Sequence, residues 1–578
     1  MKIHSTSSVS TTCQNCKKDF LIEPEDFKFY EKIKVPPPTF CPECRMIKRM
    51  AFRDYRVLYK RKSDRTGDII FSIIPQESPL KIWERDIWWS DVWDSLDYGM
   101  DYDFNKPFFT QLKELILKVP YPSQTCWNMI NSEYCTGANS LKNCYLVFVS
   151  TNSEDCMYGV EIIKTKSSID VTRLESSELC YESFALTKCY NTFFSSDCEN
   201  CIDVWFSRDL SGCNSCFGCT NLRNKQHYIF NKQYKKEEYK KMIESFNLGS
   251  YKSINKVKEK TKDIINKSIR KYTEGRYNIN VSGEYINNCK NVLKSYYVNQ
   301  GEDCKYLQCF FAPSVKNCYD CTEWGENSEL CYECSSVGAE SYNNKFNYRC
   351  SKGSHDCEYS FSCTGCSYLF ACSGLRNKQY CIFNKQYSKE EYFILRDKII
   401  KQMSDIPYID TKGIIYKYGE FFPIELSPFA YNESLAQDYF PLTKEEALIQ
   451  GFKWKDKEKR NYKIDIKNED IIDNIKDIGE EIIGKAIECA HKGKCNDQCT
   501  EAFKIIKTEF QFYKRMNLPL PRLCHNCRYF ERIKMRNSID LYHRKCMKEG
   551  CNNEFETPYA PDRPEIVYCE KCYQQEVY

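Results

Sequence analysis

The middle of the chain carries a cysteine pattern with a spacing of three residues. From Cys126 to Cys219 every separation between successive cysteines is a multiple of three, and steps of nine recur. A helix face returns roughly every third or fourth position and a strand face every second position, so neither element explains the pattern. Short strands joined by tight corners do explain it. We therefore predict a β-solenoid (β-helix) of stacked rungs, each about 18–24 residues long.

The residues between the cysteines agree with this prediction. Asn, Ser and Asp in NSEDC and SSDCENC favour corners, whereas YLVFV and VWFS favour strands. The 24 cysteines from Cys126 to Cys381 then have four interpretations. The first is columns of buried thiols in rungs that stack about 4.8 Å apart. The other three are extra metal sites, disulfides and a catalytic thiol. The candidates for extra metal sites are Cys213, Cys216 and Cys219, or Cys363 and Cys366.

The solenoid pattern occurs twice. The segment from Asn221 to Lys240 (NLRNKQHYIFNKQYKKEEYK) returns from Gly374 to Phe393 as GLRNKQYCIFNKQYSKEEYF. Both copies pass into a helix start, which predicts a terminal rung whose open edge is covered by a helix. After the first copy, a Lys-rich stretch at 235–271 predicts a helix with a solvated face.

The two ends of the chain are also copies of each other at a constant offset, which places Cys41 opposite Cys524 and Cys44 opposite Cys527. Cys-x2-Cys knuckles supply pairs of thiolates, and two knuckles about 25 residues apart can close a tetrahedral zinc site of the zinc-ribbon or treble-clef kind. The second knuckle of each copy leads into a basic, helix-compatible segment. The predicted zinc ligands are Cys13, Cys16, Cys41 and Cys44 at the N-terminus, and Cys495, Cys499, Cys524 and Cys527 at the C-terminus.

Only the C-terminal copy continues into a second zinc site. Its predicted ligands are Cys546, Cys551, Cys569 and Cys572. The corresponding N-terminal positions are Ser63, Thr66, Glu84 and Ile87, which form no zinc site. We therefore predict about three zinc ions.

These patterns predict a mainly β protein: a duplicated cysteine-rich β-solenoid between homologous zinc modules, with helical linkers. The predicted divisions are 1–104, an N-terminal zinc module with a degenerate second site; 105–234, the first solenoid half; 235–282, a Lys-rich helical insertion; 283–387, the second solenoid half; 388–488, a helical or irregular linker; and 489–578, a double zinc module.

Composition limits the function classes. The 578 residues contain 84 Lys and Arg against 80 Asp and Glu, a net charge of +4, so any basic surface must be local. The sequence contains no run of about 18 apolar residues, so no membrane span is predicted. Met1–Thr12 lacks the apolar core of an export signal, so we expect a cytoplasmic protein with reduced cysteines.

Three phrases carry a family resemblance: FYEKIKVPPPTFCPECRMIKRMAFR, PYAPDRPEIVYCEKCYQQEVY and the duplicated LRNKQ segment. The chain resembles the large cysteine-rich, zinc-ribbon-containing proteins of candidate-phyla (Patescibacteria-type) bacteria, which are functionally uncharacterised. It departs from them at Ser63, Thr66, Glu84 and Ile87, where such relatives tend to carry Cys. The resemblance implies this organisation and a cytoplasmic bacterial setting, and it implies no activity.

The first functional hypothesis is a non-enzymatic zinc-binding scaffold that contacts a protein or nucleic acid. Basic residues beside the zinc knuckles would contact phosphates, as in zinc-ribbon modules. The candidate nucleic-acid contacts are Arg45, Arg49, Arg53, Arg528, Arg532 and Arg536.

Two alternatives remain open. One is a β-helix enzyme acting on polysaccharide through carboxylates such as Asp155, Glu161, Asp170 and Asp203, although no spacing singles out a pair. The other is a thiol-rich metal or redox buffer. The sequence contains no G-x-x-x-x-G-K-[ST], H-E-x-x-H or G-x-S-x-G motif and only six histidines, so those chemistries have no support.

Overall fold

The computed structural model describes residues 7–53, 56–302, 315–316, 322, 330–338, 340–457 and 463–578. It is 25% helical and 28% strand, so the chain is mixed α and β rather than mainly β. It divides into two compact units, each built from two separate stretches of sequence. Unit 1 comprises residues 1–124 and 273–456, and unit 2 comprises residues 125–272 and 457–578. No described helix has the length and apolar character needed to cross a bilayer.

Unit 1 joins the N-terminal module (residues 7–104) to the second repeat region (residues 275–386). Its strands are Val9–Thr12, Asp19–Ile22, Tyr59–Lys62, Ile69–Ser72, Ile82–Trp83, Tyr121–Pro122, Gly275–Arg276, Gly283–Asn287, Ser295–Asn299, Gly301–Glu302, Val315–Lys316, His355–Glu358, Ser367–Phe370, Gln379–Ile382, Lys385–Gln386, Tyr408–Ile409 and Ile415–Tyr416. Its α-helices are Pro24–Ile33, Pro42–Ala51, Arg85–Trp89, Phe108–Lys118, Lys389–Asp405, Leu435–Tyr439 and Lys444–Ile449, and its 3-10 helices are Ser95–Tyr98, Ile424–Leu426 and Tyr431–Glu433.

Unit 2 joins the first repeat region (residues 126–233) to the C-terminal module (residues 487–578). Its strands are Cys126–Trp127, Ala138–Lys142, Thr151–Glu154, Val160–Ile163, Ile169–Glu175, Tyr181–Thr187, Tyr190–Phe193, Ser196–Glu199, Ile202–Trp205, Asn214–Phe217, Gln226–Ile229, Lys232–Gln233, Ile269–Lys271, Ile487–Glu488, Ala502–Phe503, Tyr542–Lys545, Glu554–Thr557 and Ile566–Tyr568. Its α-helices are Lys236–Ser245, Tyr251–Asn266, Lys507–Met516, His525–Ile533 and Glu570–Val577, and its 3-10 helices are Asn468–Asp470, Ile475–Asp477 and Glu480–Ile482.

The first repeat region forms a sheet of twelve strands within residues 126–233, all of which are described. Its strands pair in parallel with segments twelve positions further along the chain, as in Ile169↔Tyr181 and Val204↔Cys216. The last strand returns antiparallel. In the described parts of the second repeat region the displacement varies, from eleven positions in Gly275↔Ile286 to fourteen in Gly301↔Val315. The predicted rung length is therefore wrong, because the three-residue spacing of the cysteines does not specify how many steps separate paired strands.

Left-handed backbone explains the three-residue spacing. In the first repeat region almost every third residue has positive φ, for example Asn143 (52°), Asn152 (52°) and Asp155 (54°). Asn and Asp tolerate this conformation better than most residues, as predicted for the corners. Ser153, however, is an inward-facing buried residue and not a corner residue. Its hydroxyl donates to the Thr151 carbonyl at 3.0 Å, which satisfies it inside the region.

Cysteine and serine share these inward positions because they bond the backbone in the same way. The Cys180 thiol donates to the Glu178 carbonyl at 3.4 Å, two residues back. The Ser168 hydroxyl donates to the Lys166 carbonyl at 2.7 Å and accepts from the Cys180 N–H at 3.0 Å. The cysteines, together with Val, Leu and Ile, form an apolar interior to each repeat region.

Helices follow both copies of the duplicated segment. The Lys-rich stretch predicted as one helix forms two, Lys236–Ser245 and Tyr251–Asn266, and the chain returns to a strand at Ile269–Lys271. The second copy leads into Lys389–Asp405, where Ser388 and Glu391 form a capping box.

Candidate metal centres

The N-terminal module brings together the four predicted cysteines. Cys13 follows the strand Val9–Thr12, and Cys41 caps the helix Pro42–Ala51, whose first turn contains Cys44. All four sulfurs, including that of Cys16, lie within 4.8 Å of one another. The Cys16 and Cys41 sulfurs are 3.7 Å apart, close to the edge of about 3.8 Å expected for four sulfurs about 2.3 Å from a metal ion.

Hydrogen bonds within this cluster favour thiolate formation at one position. The thiols of Cys41 and Cys44 lower the pKa of Cys13, and the same contact with Cys13 raises the pKa of Cys41 to about 12. A thiolate held by neighbouring thiols is a ready first ligand for a soft or borderline metal ion.

The first C-terminal cluster uses Cys489 in place of the predicted Cys495. Cys489 follows the strand Ile487–Glu488 as Cys13 follows Val9–Thr12, and its sulfur joins those of Cys499, Cys524 and Cys527 within 4.8 Å. The Cys489 and Cys527 sulfurs are 3.9 Å apart. Cys495 lies outside this set of four. The constant offset misled the sequence comparison, because a nine-residue loop separates Cys489 from Cys499 where two residues separate Cys13 from Cys16.

The second C-terminal cluster matches the prediction. Cys546 and Cys551 lie in the hairpin that joins Tyr542–Lys545 to Glu554–Thr557, and Cys569 and Cys572 begin the helix Glu570–Val577. Their four sulfurs lie within 4.8 Å of one another. Burial alone would raise the pKa of Cys569, but hydrogen bonds from the Cys572 N–H and neighbouring side chains lower this pKa to about 7.

Hydrogen bonds join the side chains at the equivalent N-terminal positions. The Ser63 hydroxyl donates to Glu84 at 2.7 Å, and the Thr66 hydroxyl donates to the other carboxylate oxygen of Glu84. Burial alone would raise the pKa of Glu84, but these hydrogen bonds outweigh it and lower the pKa. No group of metal-ligating side chains forms at these positions in the described residues.

The predicted nucleic-acid contacts need correction. Arg45, Arg49, Arg528 and Arg532 are at most 5% exposed, so they cannot reach a phosphate. Arg45 and Arg49 contact Glu333 of the second repeat region, at 3.1 and 3.6 Å.

Arg528 and Arg532 contact Asp170 of the first repeat region, at 3.0 and 2.9 Å. In each unit the basic face of the helix therefore points at a buried carboxylate instead of at solvent. Arg53 and Arg536 are half-buried, and Arg53 donates to Ser336 at 2.6 Å.

The repeat cysteines form no metal group in the described residues, and every described cysteine is a free thiol. This holds for both predicted sets of extra sites: Cys213 donates to the Leu222 carbonyl at 3.4 Å and Cys366 to the Leu375 carbonyl at 3.4 Å. Burial raises the pKa of Cys180 and Cys381 to about 12. Such thiols are protonated and unreactive near neutral pH. Four further cysteines, at positions 304, 309, 318 and 321, lie outside the described residues.

The candidate acids of a polysaccharide-active enzyme are each engaged in a structural contact. Asp170 holds two arginines, and Glu161, only 1% exposed, pairs with Arg173. Asp155 accepts a hydrogen bond from Asn143 at 3.0 Å, and Asp203 accepts one from Asn191. Each asparagine lies 12 residues before its aspartate.

The sequence matches no protein-family model and no curated protein. Within the described residues, three four-cysteine clusters could bind metal ions, so the structure defines the chain as a cysteine-rich protein with candidate metal centres.

Proposed function

We propose that this protein is a non-enzymatic scaffold in which each zinc-binding terminal module packs against one β-solenoid and stabilises it. The observation that carries the proposal is the set of three four-cysteine clusters, since four thiolates without an open position are typical of structural zinc. The cytoplasmic setting and the bacterial family expected from the sequence belong to the same proposal.

The regular strand register supports the solenoid. A parallel pairing that repeats every twelve positions, with a left-handed corner near every third residue, fits a rung of four short sides. The inward residues of successive rungs then stack into columns, such as Cys189, Cys201 and Cys213. Stacked rungs of this kind stabilise one another and leave long faces for a partner.

The buried arginines give each zinc module its structural role. In unit 2 the helix His525–Ile533 begins at the cluster ligand Cys524 and places Arg528 and Arg532 on Asp170. A zinc ion at the cluster would fix this helix, and the helix would fix the module on the solenoid. The Glu333 contacts support the same arrangement in unit 1.

A protein partner fits this scaffold better than nucleic acid. Four of the six arginines predicted to contact phosphates form internal ion pairs instead. The exposed faces instead carry mixed charges, such as the column in which Lys142 and Lys166 flank Glu154. A mixed-charge face does not attract a polyanion.

Zinc analysis of single-cysteine variants tests the proposal. We expect Cys41→Ser and Cys524→Ser each to lower the zinc-to-protein ratio and to unfold the module concerned, because ligand loss removes metal-derived folding energy. The matched control is Cys180→Ser, a buried repeat cysteine that should leave the ratio unchanged. The measurement is elemental analysis of purified full-length protein together with thermal unfolding. A wild-type ratio near zero would exclude zinc.

A further inference from the structure

The loop between Cys489 and Cys499 contains three further metal-ligating residues. His491, Cys495 and Asp497 lie within its nine residues, although the whole chain has only six histidines. Their ligand atoms and the Cys527 sulfur all lie within 4.8 Å of one another. Cys527 therefore belongs to two groups, this one and the four-cysteine cluster.

The distances fit two tetrahedra that share one corner. The Cys527 sulfur lies 3.5 Å from that of Cys524, within the cluster, and 3.7 Å from that of Cys495, outside it. Both values are near the edge of about 3.8 Å expected around one zinc ion. Cys495 forms no common group with Cys489, Cys499 and Cys524 in the described residues, so it fits a second ion better than the first.

The histidine supplies a second, independent observation. Its Nδ1 atom is buried and makes no hydrogen bond within the described residues, and it lies 3.7 Å from the Asp497 carboxylate. A buried ring nitrogen without a hydrogen bond is costly in a folded protein. A metal ion between the imidazole and the carboxylate would satisfy both groups.

Charge also favours a second cation. One zinc ion with four thiolates has a net charge of −2, and the Asp497 carboxylate together with loss of the Cys495 proton on metal binding would bring the ligand set to −4. A second divalent ion restores −2. Neither of two nearby lysines serves this purpose, since the Lys457 ammonium group donates to the carbonyls of Gly493 and Cys495 and that of Lys534 donates to Glu531.

We propose that His491, Cys495, Asp497 and a bridging Cys527 thiolate bind a second zinc ion beside the four-cysteine cluster. The N-terminal module has no such loop, because only two residues separate Cys13 from Cys16. With side chains of His491 and Asp497 31% and 19% exposed, the second ion is the more accessible of the pair. It is the ion that exchanges with solution. The inference rests on the proposed zinc in the neighbouring cluster.

The first test is the zinc content of full-length protein purified from zinc-supplemented medium. We expect about four zinc ions per chain, one for each four-cysteine cluster and one for the loop. Cys495→Ser and Asp497→Asn should each lower the ratio by one ion and lower the thermal midpoint by less than Cys524→Ser does, because the four-cysteine cluster keeps its own ion. The matched control in the same loop is Asn496→Ser, which should keep all four.

Cobalt substitution supplies a second measurement that does not depend on counting alone. Two high-spin Co2+ ions that share a thiolate couple their spins, so the electron paramagnetic resonance intensity per cobalt should be lower in the fully loaded wild type. Cys495→Ser should restore the full intensity per ion.

The outcomes separate the two proposals. A ratio of about three that neither loop variant changes would overturn the second site and leave the three clusters standing. The second site would also be overturned if Cys489→Ser had the same zinc-to-protein ratio as the wild type. Cys495 would then be a substitute ligand for a single ion. A ratio near zero would overturn both proposals.

Discussion

In both units the helix that begins at a four-cysteine cluster places two arginines on one carboxylate of a repeat region. The charges around this contact differ between the units. In unit 2 the Oδ1 atom of Asp170 accepts from Arg528 at 3.1 Å and from Arg532 at 2.9 Å. In unit 1 both arginines approach the same oxygen of Glu333, at 3.1 and 3.6 Å. The aspartate contact is therefore the shorter of the two.

The surrounding groups increase the contrast. In unit 2 a second acid, Glu509, lies 3.5 Å from Arg528, which gives two acids for two arginines. In unit 1 the buried Lys48 adds a third cation, and burial raises the pKa of the second acid, Glu420, to about 7 although Lys48 opposes this. The comparison teaches that the arginine pair anchors the module in both units and that burial raises the pKa of the second acid in each, Glu509 as well as Glu420. Unit 1 differs in adding the buried Lys48 as a third cation.

The largest expected effect comes from neutralising the anchoring carboxylates. Removing one partner of a buried ion pair costs about 3–5 kcal/mol, because the remaining charge is left uncompensated. We expect Asp170→Asn to lower the free energy of unfolding by more than Glu333→Gln, since Asp170 makes the shorter contacts. Urea unfolding of the full-length protein measures both.

The control for this pair is Asp86→Asn, whose carboxylate is 82% exposed beside Arg85. We expect no measurable change there, as for most exposed ion pairs. Equal losses for Asp170→Asn and Glu333→Gln would show that the geometry of the contact does not matter.

An intermediate effect is expected at Glu84, whose carboxylate accepts hydrogen bonds at the positions equivalent to the second C-terminal cluster. Glu84→Ala removes the acceptor of both the Ser63 and Thr66 hydroxyls. Its loss should cost about 1–3 kcal/mol, the usual penalty for unsatisfied polar groups. The zinc content should not change, in contrast to Cys569→Ser at the equivalent C-terminal position. A drop in zinc content in Glu84→Ala would mean that the N-terminal site still binds metal.

The smallest effect is expected inside the repeat regions. Cys180→Ser introduces a hydroxyl that can donate to the Glu178 carbonyl as the thiol does, and Ser168 already occupies the preceding equivalent position. We expect a loss of less than about 1 kcal/mol, in the range of a conservative core change. Thermal unfolding of the variant checks this. A loss as large as that of Cys524→Ser would show that the repeat thiols have a role beyond packing.

Much of the candidate site could be predicted from sequence, because short spacings determine local geometry. The knuckles at Cys41 and Cys44, and at Cys569 and Cys572, place their sulfurs together at the start of a helix in any fold. Cys489 was missed because its partner Cys499 lies across a loop. The signal that could have found it is its position directly after a short strand, like that of Cys13.

The repeat regions show the same limit. The three-residue spacing of the cysteines coincides with a positive φ near every third residue, as at Asn152 and Asp155. The displacement of twelve positions between paired strands was not predicted, because it depends on hydrogen bonds between strands and not on residue type.

By itself the sequence determined the Cys-x2-Cys knuckles that begin at Cys41 and Cys524, the presence of Ser63 and Thr66 where the other copy has cysteine, and the three-residue spacing of the repeats. These features depend on residues close together in the chain, where bond geometry and side-chain chemistry leave few alternatives. Only the tertiary structure decided which repeat region each module joins, and therefore that Arg49 and Arg532 are buried instead of exposed. Arg49 and Glu333, or Asp170 and Arg532, are far apart in the chain. Their pairing follows from the large apolar clusters that bring those segments together and exclude water from the charges between them.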